Sequence, residues 1–333
     1  INGKIVKLNT NENPYPPAPG VKKVLEEMEA DRLRKYPDPT ASILVKELAS
    51  YYGLNEDQVF VGVGSDDVLA MSFLTFFNSD KPVLFPDVTY SFYKVWADLF
   101  KVPFETPVLK EDFTIDVKDY EKENGGVIFP NPNAPTGVYM PLDQVEEILK
   151  ANQDVVVIVD EAYVDFAGPS ALELLDKYEN LLVVQTFSKS RSMAGMRIGF
   201  AMGHPDLIRA LNDVKYSYNS YTMNLPSLLA GVEAVKDKEY FEKTIEKIVA
   251  TREHAKKRLT ELGFTFPNSQ SNFIFASHKS VPAEKIFEAL KKEQIYVRYF
   301  KTPGLDNSLR ISIGTDEEMD TLFRFLEAYL PNA

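Results

Sequence analysis

The sequence predicts an α/β fold: a mostly parallel sheet with helices on both faces, followed by a smaller second lobe. Three observations carry this expectation. Short apolar runs rich in β-branched residues alternate with amphipathic stretches at helical spacing, the pattern that builds parallel sheets through crossover helices. Four of those runs end in polar residues, Gly64–Asp66, Asn131–Asn133, Asp160–Tyr163 and Thr186–Lys189, and this is where such folds place their ligands. Finally, 333 residues with 44% hydrophobic content are enough to bury a large core in more than one lobe.

Composition narrows the functional classes. Acidic residues outnumber basic ones, 49 to 37, giving a net charge of −12. That balance opposes non-specific binding to nucleic acid or to anionic membranes. No apolar run approaches the roughly 20 residues of a membrane span, and Ile1 does not open a signal-peptide pattern. With no cysteine, disulfide and thiolate chemistry are excluded. The three scattered histidines, His204, His254 and His278, argue against a histidine-based metal site. These features together predict a cytoplasmic enzyme without metal, nucleic-acid or membrane partners.

The elements follow in order. Residues 9–19 are too rich in proline for a helix or a central strand and read as an extended arm carrying Tyr15. Helices are expected over 21–28 and 40–52, the second stopped by Gly53, with a rigid Tyr36-Pro-Asp-Pro turn between them. Residues 58–64 form a strand running into a glycine turn. Ser65 or Asp66 is expected to cap the next helix, whose free N–H groups suit a phosphate as readily as plain capping. A strand at 82–85 leads into an aromatic helix start at Tyr90. Strands at 127–130 and 155–160 flank a helix over 143–150. The run Leu181–Thr186 then reaches Ser188 and Lys189, with Arg197 eight positions on. Helices follow over 206–216, 226–236 and 239–262. Short strands at 272–276, 295–298 and 309–313 and a terminal helix over 315–330 form the second lobe.

A buried lysine or carboxylate needs a partner. One reading pairs Asp160 with Lys189 as a buried salt bridge. The other places a pyridine ring between them. Asp160 would then face a protonated ring nitrogen and Lys189 would bind an aldehyde, with a phosphate on Ser65–Asp66, Ser188 and Arg197. Tyr163 and an asparagine of the 131–133 turn would reach the ring oxygen, and Tyr90 the ring face. That ring is pyridoxal 5'-phosphate, an electron sink for a carbanion next to an amine.

The chain resembles the fold-type I pyridoxal-phosphate-dependent aminotransferases, and among them the histidinol-phosphate aminotransferases. The resemblance rests on Asn11-Glu-Asn-Pro-Tyr, Tyr36-Pro-Asp-Pro, Gly64-Ser-Asp-Asp, Val88-Thr-Tyr-Ser-Phe-Tyr, Asn131-Pro-Asn-Ala-Pro-Thr-Gly, Asp160-Glu-Ala-Tyr, Thr186-Phe-Ser-Lys, Gly195-Met-Arg-Ile-Gly, Ser271-Asn-Phe and Leu309-Arg-Ile-Ser-Ile-Gly. It implies a large domain (26–225) with a mostly parallel mixed sheet flanked by helices. An arm and part of the small domain would lie in 1–25, and an α+β small domain in 226–333. It also implies a homodimer with shared active sites, in which Tyr36 reaches the neighbour's cofactor phosphate. Lys189 would form the Schiff base and carry protons, Asp160 would partner the pyridinium, and Thr186, Ser188 and Arg197 would join the phosphate site. Arg310 would grip a carboxylate, Arg298 a phosphate, and Tyr15 would close over the substrate. One position departs from the pattern: the asparagine usual before Pro-Thr-Gly is Ala134 here. Either Asn133 replaces it by a small shift, or the ring oxygen relies on Tyr163. The activity implied is transfer of an amino group between histidinol phosphate and 2-oxoglutarate, yielding imidazole acetol phosphate and glutamate. An aromatic amino-acid aminotransferase, a phosphothreonine decarboxylase and a non-catalytic cofactor-binding regulator are the alternatives.

Overall fold

The structure, a computed structural model, describes residues 5–333; Ile1, where no leader pattern is read, lies outside them. In chain order the regular elements begin with β1 (Val6–Leu8), α1 (Pro19–Glu27), α2 (Ser42–Tyr52), β2 (Val59–Gly62) and α3 (Ser65–Phe76). There follow β3 (Val83–Leu84), α4 (Phe92–Phe100), β4 (Phe104–Glu105), β5 (Gly126–Pro130), α5 (Leu142–Ala151), β6 (Val157–Asp160), β7 (Leu181–Thr186) and β8 (Gly199–Gly203). The last part comprises α6 (Pro205–Tyr218), α7 (Leu225–Lys236), α8 (Lys238–Glu261), β9 (Phe264–Thr265), β10 (Phe273–His278), α9 (Ala283–Lys292), β11 (Ile295–Tyr299), β12 (Leu309–Ser312) and α10 (Asp316–Tyr329).

Seven strands form the larger sheet in the order β2-β8-β7-β6-β5-β3-β4. From β4 to β7 the pairing is parallel, whereas β8 runs antiparallel to both β7 and β2. Every residue of β5, β6 and β7 is buried, because helices cover both faces. Alternate residues serve opposite faces. Val127, Phe129, Val157, Val159 and Val183 point into the core under α2, α5 and α7. Ile128, Ile158, Leu182 and Val184 point into the core under α3, α4 and α6. The parallel strands end together, which brings Asp160 and Thr186 to one sheet edge.

Strand β8 was not evident in the sequence because Gly-Phe-Ala-Met-Gly carries little strand signal. Its glycine explains its place. Gly199 pairs with Gly62 on one side and Thr186 on the other, and a Cβ there would overlap the backbone of Gly64 and Ser65. A bare backbone therefore lets the start of α3 sit close beside the end of β7.

A second sheet, β1-β11-β12-β10-β9, builds the smaller lobe. Strand β1 lies parallel to β11, so the N-terminal arm starts in the small lobe and crosses to the large one. The arm's proline-rich part is irregular, as its composition predicts, but the strand preceding it was not read from the sequence. The buried faces of α8, α9 and α10 cover this sheet, and Ala134, Tyr163 and Phe166 of the large lobe pack into the same core. Helix α7 packs on α1 and α2, and its Leu228, Ala230, Ala234 and Val235 belong to the large-lobe core. We propose from this packing that the division between the lobes lies near Asp237, after α7.

Close packing under α3 makes Gly199 sensitive to size. Gly199→Ala is expected to lower stability by about 1–3 kcal/mol in urea unfolding. Gly195→Ala, with no atom within 4 Å of the added methyl, should change it little.

Candidate active site

Strands β5, β6 and β7, the start of α3 and the arm enclose a cleft of about 270 Å³. Lys189, three residues beyond β7, extends its amine into it. The Lys189 Nζ donates to the Thr10 carbonyl at 3.1 Å and lies 5.8 Å from the centre of the Tyr163 ring. Asp160 closes β6 with 5% exposure. It accepts from Tyr93 Oη at 2.7 Å and from the Ala162 N–H at 3.3 Å. Burial, reinforced by the nearby Asp66, outweighs these bonds and raises its pKa from 3.8 to about 6. Asp160 and Lys189 form no ion pair with each other, nor with any other described residue. The salt-bridge reading is thereby excluded: Asp160 is buried and Lys189 half-buried at one cleft, and the carboxylate whose charge acts on the Lys189 amine is that of Glu12.

The opposite wall is built on the turn into α3. Its cap is Gly64, not Ser65 or Asp66 as expected, because the chain turns there with φ +88°. A side chain at that φ is strained, and a Cβ would also press on the Arg197 guanidinium at 2.5 Å. Arg197 itself holds a left-handed φ of +54°, which few non-glycine residues adopt. It donates to the Ala194 carbonyl at 3.2 Å and has no carboxylate partner among the described residues. The first N–H groups of α3, Ser65, Ser188 and Arg197 thus converge with positive potential and spare donors, the donor set of an anion site. Thr186 Oγ1 accepts from the Ser188 N–H at 3.1 Å and holds that turn. Tyr90 donates to Asp66 Oδ1 at 2.9 Å and forms one side of the cleft; burial, then Asp66, pushes its hydroxyl pKa up.

An aldehyde-reactive amine, a buried carboxylate lacking a cation and an anion site in one cleft fit pyridoxal phosphate. Lys189 would hold its aldehyde carbon, Asp160 its ring nitrogen, and the α3 turn with Arg197 and Ser188 its phosphate.

Nine of the expected residues line this cleft: Ser65, Asp66, Tyr90, Asp160, Tyr163, Thr186, Ser188, Lys189 and Arg197. Others stand apart. Asn133 spends its amide on the Val88 carbonyl and Thr136 Oγ1, and its Oδ1 accepts from Thr89, leaving Ala134 to face the cleft. Tyr15 packs on the small-lobe core with Lys247 over its ring, outside the cleft. Tyr36 is 82% exposed on the large lobe, its ring 4.7 Å from that of Tyr221. Arg310 and Arg298 are directly opposed on β12 and β11, and both guanidinium groups lie over Phe300. Arg310 donates to the Asn9 carbonyl at 3.2 Å, while its buried Nε has no partner among the described residues. Like charges opposed in this way repel unless an anion joins them. Burial, with Arg298 adding, lowers the Arg310 pKa.

Sequence reasoning missed Tyr93, Thr10, Asn11 and Glu12. Tyr93 follows Tyr90 by one helical turn, so the spacing could have found it. Asn11 and Glu12 stand in the Asn11-Glu-Asn-Pro-Tyr motif, but the motif assigned them no role, because only the crossing of the arm between lobes brings the arm to Lys189 and Tyr163.

The chain matches the family model for aminotransferase class I and II over residues 3–326. It is 54% identical to a histidinol-phosphate aminotransferase of Clostridium acetobutylicum, over 95% of this chain and 90% of the relative. It is 52% identical to one from Brachyspira hyodysenteriae, over 98% and 93%. Among solved structures it superposes on the histidinol-phosphate aminotransferase of Sinorhizobium meliloti in complex with pyridoxal-5'-phosphate with a TM-score of 0.88. Identity there is 25%, covering 98% of this chain and 90% of that one. A histidinol-phosphate aminotransferase from Clostridium acetobutylicum gives 0.90 at 24% identity, covering 98% and 99%, a likeness of fold.

Asp160 should mark the pH dependence of the cofactor-free protein. Its folded-state pKa of about 6 exceeds the unfolded 3.8, so the folded state holds the proton more tightly. Stability from this group therefore falls as pH rises between those values. Glu161, raised by burial to about 7, titrates in an overlapping range. The comparison to make is thermal unfolding of Asp160→Asn against the parent from pH 4 to 7. The variant should show the shallower decline, and parallel curves would contradict the assignment.

Proposed function

This chain belongs to the class I and II aminotransferase family, and we propose that it exchanges an amino group between histidinol phosphate and 2-oxoglutarate, using pyridoxal phosphate. The observation that carries the reading is the Lys189 amine in one cleft with Asp160, a buried carboxylate that lacks the cation which the cofactor's ring nitrogen would bring. The substrate assignment is supported by relatives at 52–54% identity named for that activity. The opposed arginines agree with it.

When bound, the cofactor supplies an electron sink for the carbon that carries the substrate amine. Each protein group then has a stated task. Asp160, held by Tyr93 and burial, keeps a proton on the ring nitrogen. The Ser65 turn, Ser188 and Arg197 neutralise the phosphate, and Tyr90 covers a ring face. Lys189 Nζ would carry the proton to and from the substrate carbon. Histidinol phosphate has no α-carboxylate, so Arg310 and Arg298 meet its phosphate in one half-reaction and a glutamate carboxylate in the other. Both are oxyanions that a guanidinium can hold through two donors.

The active unit is a homodimer in this reading. Tyr36 is exposed with the ring of Tyr221 beside it, and in a two-fold pair it would reach the neighbour's phosphate site. We infer a cytoplasmic location from the amino-acid-biosynthesis metabolites that this reading gives it.

Purified protein loaded with pyridoxal phosphate should be yellow, and glutamate or histidinol phosphate should bleach its visible band. Lys189→Ala should fold, lack the band, and lose at least about 10³-fold in turnover. A band that responds to phenylalanine but not to histidinol phosphate would contradict the substrate assignment. Sedimentation of a monomer at micromolar concentration would contradict the shared site.

A further inference from the structure

The arm delivers an asparagine to the hydroxyl of Tyr163, a side chain that lines the cleft. Asn11 is 1% exposed and sits at a left-handed φ of +57°, a conformation that asparagine tolerates better than most residues. Its side-chain Nδ2 donates to Tyr163 Oη at 3.0 Å. The orientation of that amide follows from its other bonds. The Asn11 backbone N–H donates to Ser312 Oγ at 2.9 Å, so the Ser312 hydroxyl proton is free to go to Asn11 Oδ1, 3.0 Å away. With Oδ1 thus engaged, the NH₂ end must point to Tyr163. The Asn11 carbonyl in turn accepts from Asn272 Nδ2 at 2.9 Å. Asn11 is therefore held by β12 and by the segment before β10, and it reaches across to the large lobe.

The consequence for Tyr163 is directional. A phenol that accepts one hydrogen bond keeps its own O–H free to donate, and donates more strongly. The charged groups facing Tyr163 are Lys189 and Arg310. Neither hydrogen-bonds its hydroxyl, since each donates to an arm carbonyl instead. At the neighbouring wall, Ala134 offers no donor and Asn133 is turned away. Tyr163 is left as the side chain placed to donate to the ring oxygen.

We propose that Asn11 is a positioning residue for Tyr163. By filling one acceptor site on Oη, it aims the tyrosine proton at the cofactor's ring oxygen and does the work of the asparagine missing at position 134. The inference rests on pyridoxal phosphate occupying this cleft with its ring oxygen toward Tyr163.

The test uses the holoenzyme without substrate and reads the pH midpoint of its visible band, set by the proton on the nitrogen that joins Lys189 to the cofactor. A donor to the ring oxygen interacts most strongly when that oxygen's negative charge is not offset by this proton. Losing the donor should therefore raise the midpoint. Asn11→Asp keeps size and backbone conformation but presents only acceptors, so the Tyr163 proton turns toward the new carboxylate. It should raise the midpoint by about 1 pH unit, in the same direction as Tyr163→Phe. Adding Ala134→Asn to Asn11→Asp should bring the midpoint at least half-way back. Asn13→Ala, which removes the arm's bond to the Ser190 carbonyl without touching Tyr163, should leave it in place. Should Asn11→Asp fail to fold, Asn11→Gly preserves the left-handed backbone and is read in the same way. An unshifted Asn11 variant beside a shifted Tyr163→Phe overturns this inference alone, as does an equal shift in Asn13→Ala or no recovery on adding Ala134→Asn. An unshifted Tyr163→Phe, or parent protein that never develops the band, overturns the site reading and this inference with it.

Discussion

A buried carboxylate without a countercharge is the constraint around which this molecule is arranged. Asp160 ends the most enclosed region of the sheet, between β5 and β7, and the protein gives it a tyrosine hydroxyl and a backbone N–H instead of a cation. A lone buried acid is unfavourable, and its raised pKa expresses that. The arrangement becomes favourable when a cationic ring nitrogen arrives, so the folded protein holds in reserve an interaction that the cofactor completes. Lys189, half-buried, and Arg197, exposed, are each oriented by a carbonyl of the chain, which leaves them further N–H donors for the cofactor.

The second organising feature is the arm. It begins as β1 in the small-lobe sheet and its residues 9–13 then pass over the cleft. Along this stretch the carbonyls of Asn9 and Thr10 accept from Arg310 and Lys189, the Asn11 amide meets Tyr163, and Asn13 bonds the Ser190 carbonyl. One short segment thus touches residues on both lobes. Any change in the angle between the lobes must be felt at the lysine and the tyrosine, because no flexible spacer separates these contacts. Proline on either side of the tyrosine at 15 stiffens the continuation of the arm.

Much of this was legible in the chain itself, and the reasons are local. Strands β6 and β7 were readable because strands buried on both faces must be apolar throughout, so the first polar residue marks where each ends. The helix start at Thr315 was readable because capping demands particular side chains. Nine of the cleft residues were found because they sit at strand ends or at the turn into a helix. What failed depended on close approach. β8 was invisible because its glycines matter only when α3 is packed on them. The cap at Gly64 was missed because it depends on a positive-φ turn there, where a side chain would also meet Arg197, far along the chain.

By itself the sequence determined the alternation of strand and helix, the polar strand ends, and the residue types needed for an amine, an acid and an anion site. Those follow from periodicity and from the chemistry of single side chains. Only the tertiary structure decided that Asp160 and Lys189 face the same cleft without pairing. It also decided that Asn133 turns away from that cleft while Asn11, 152 residues from Tyr163 in the chain, takes hold of its hydroxyl. A hydrogen bond depends on direction to within a fraction of an ångström, and contacts between distant segments are set by how the two lobes pack. No spacing along the chain encodes that.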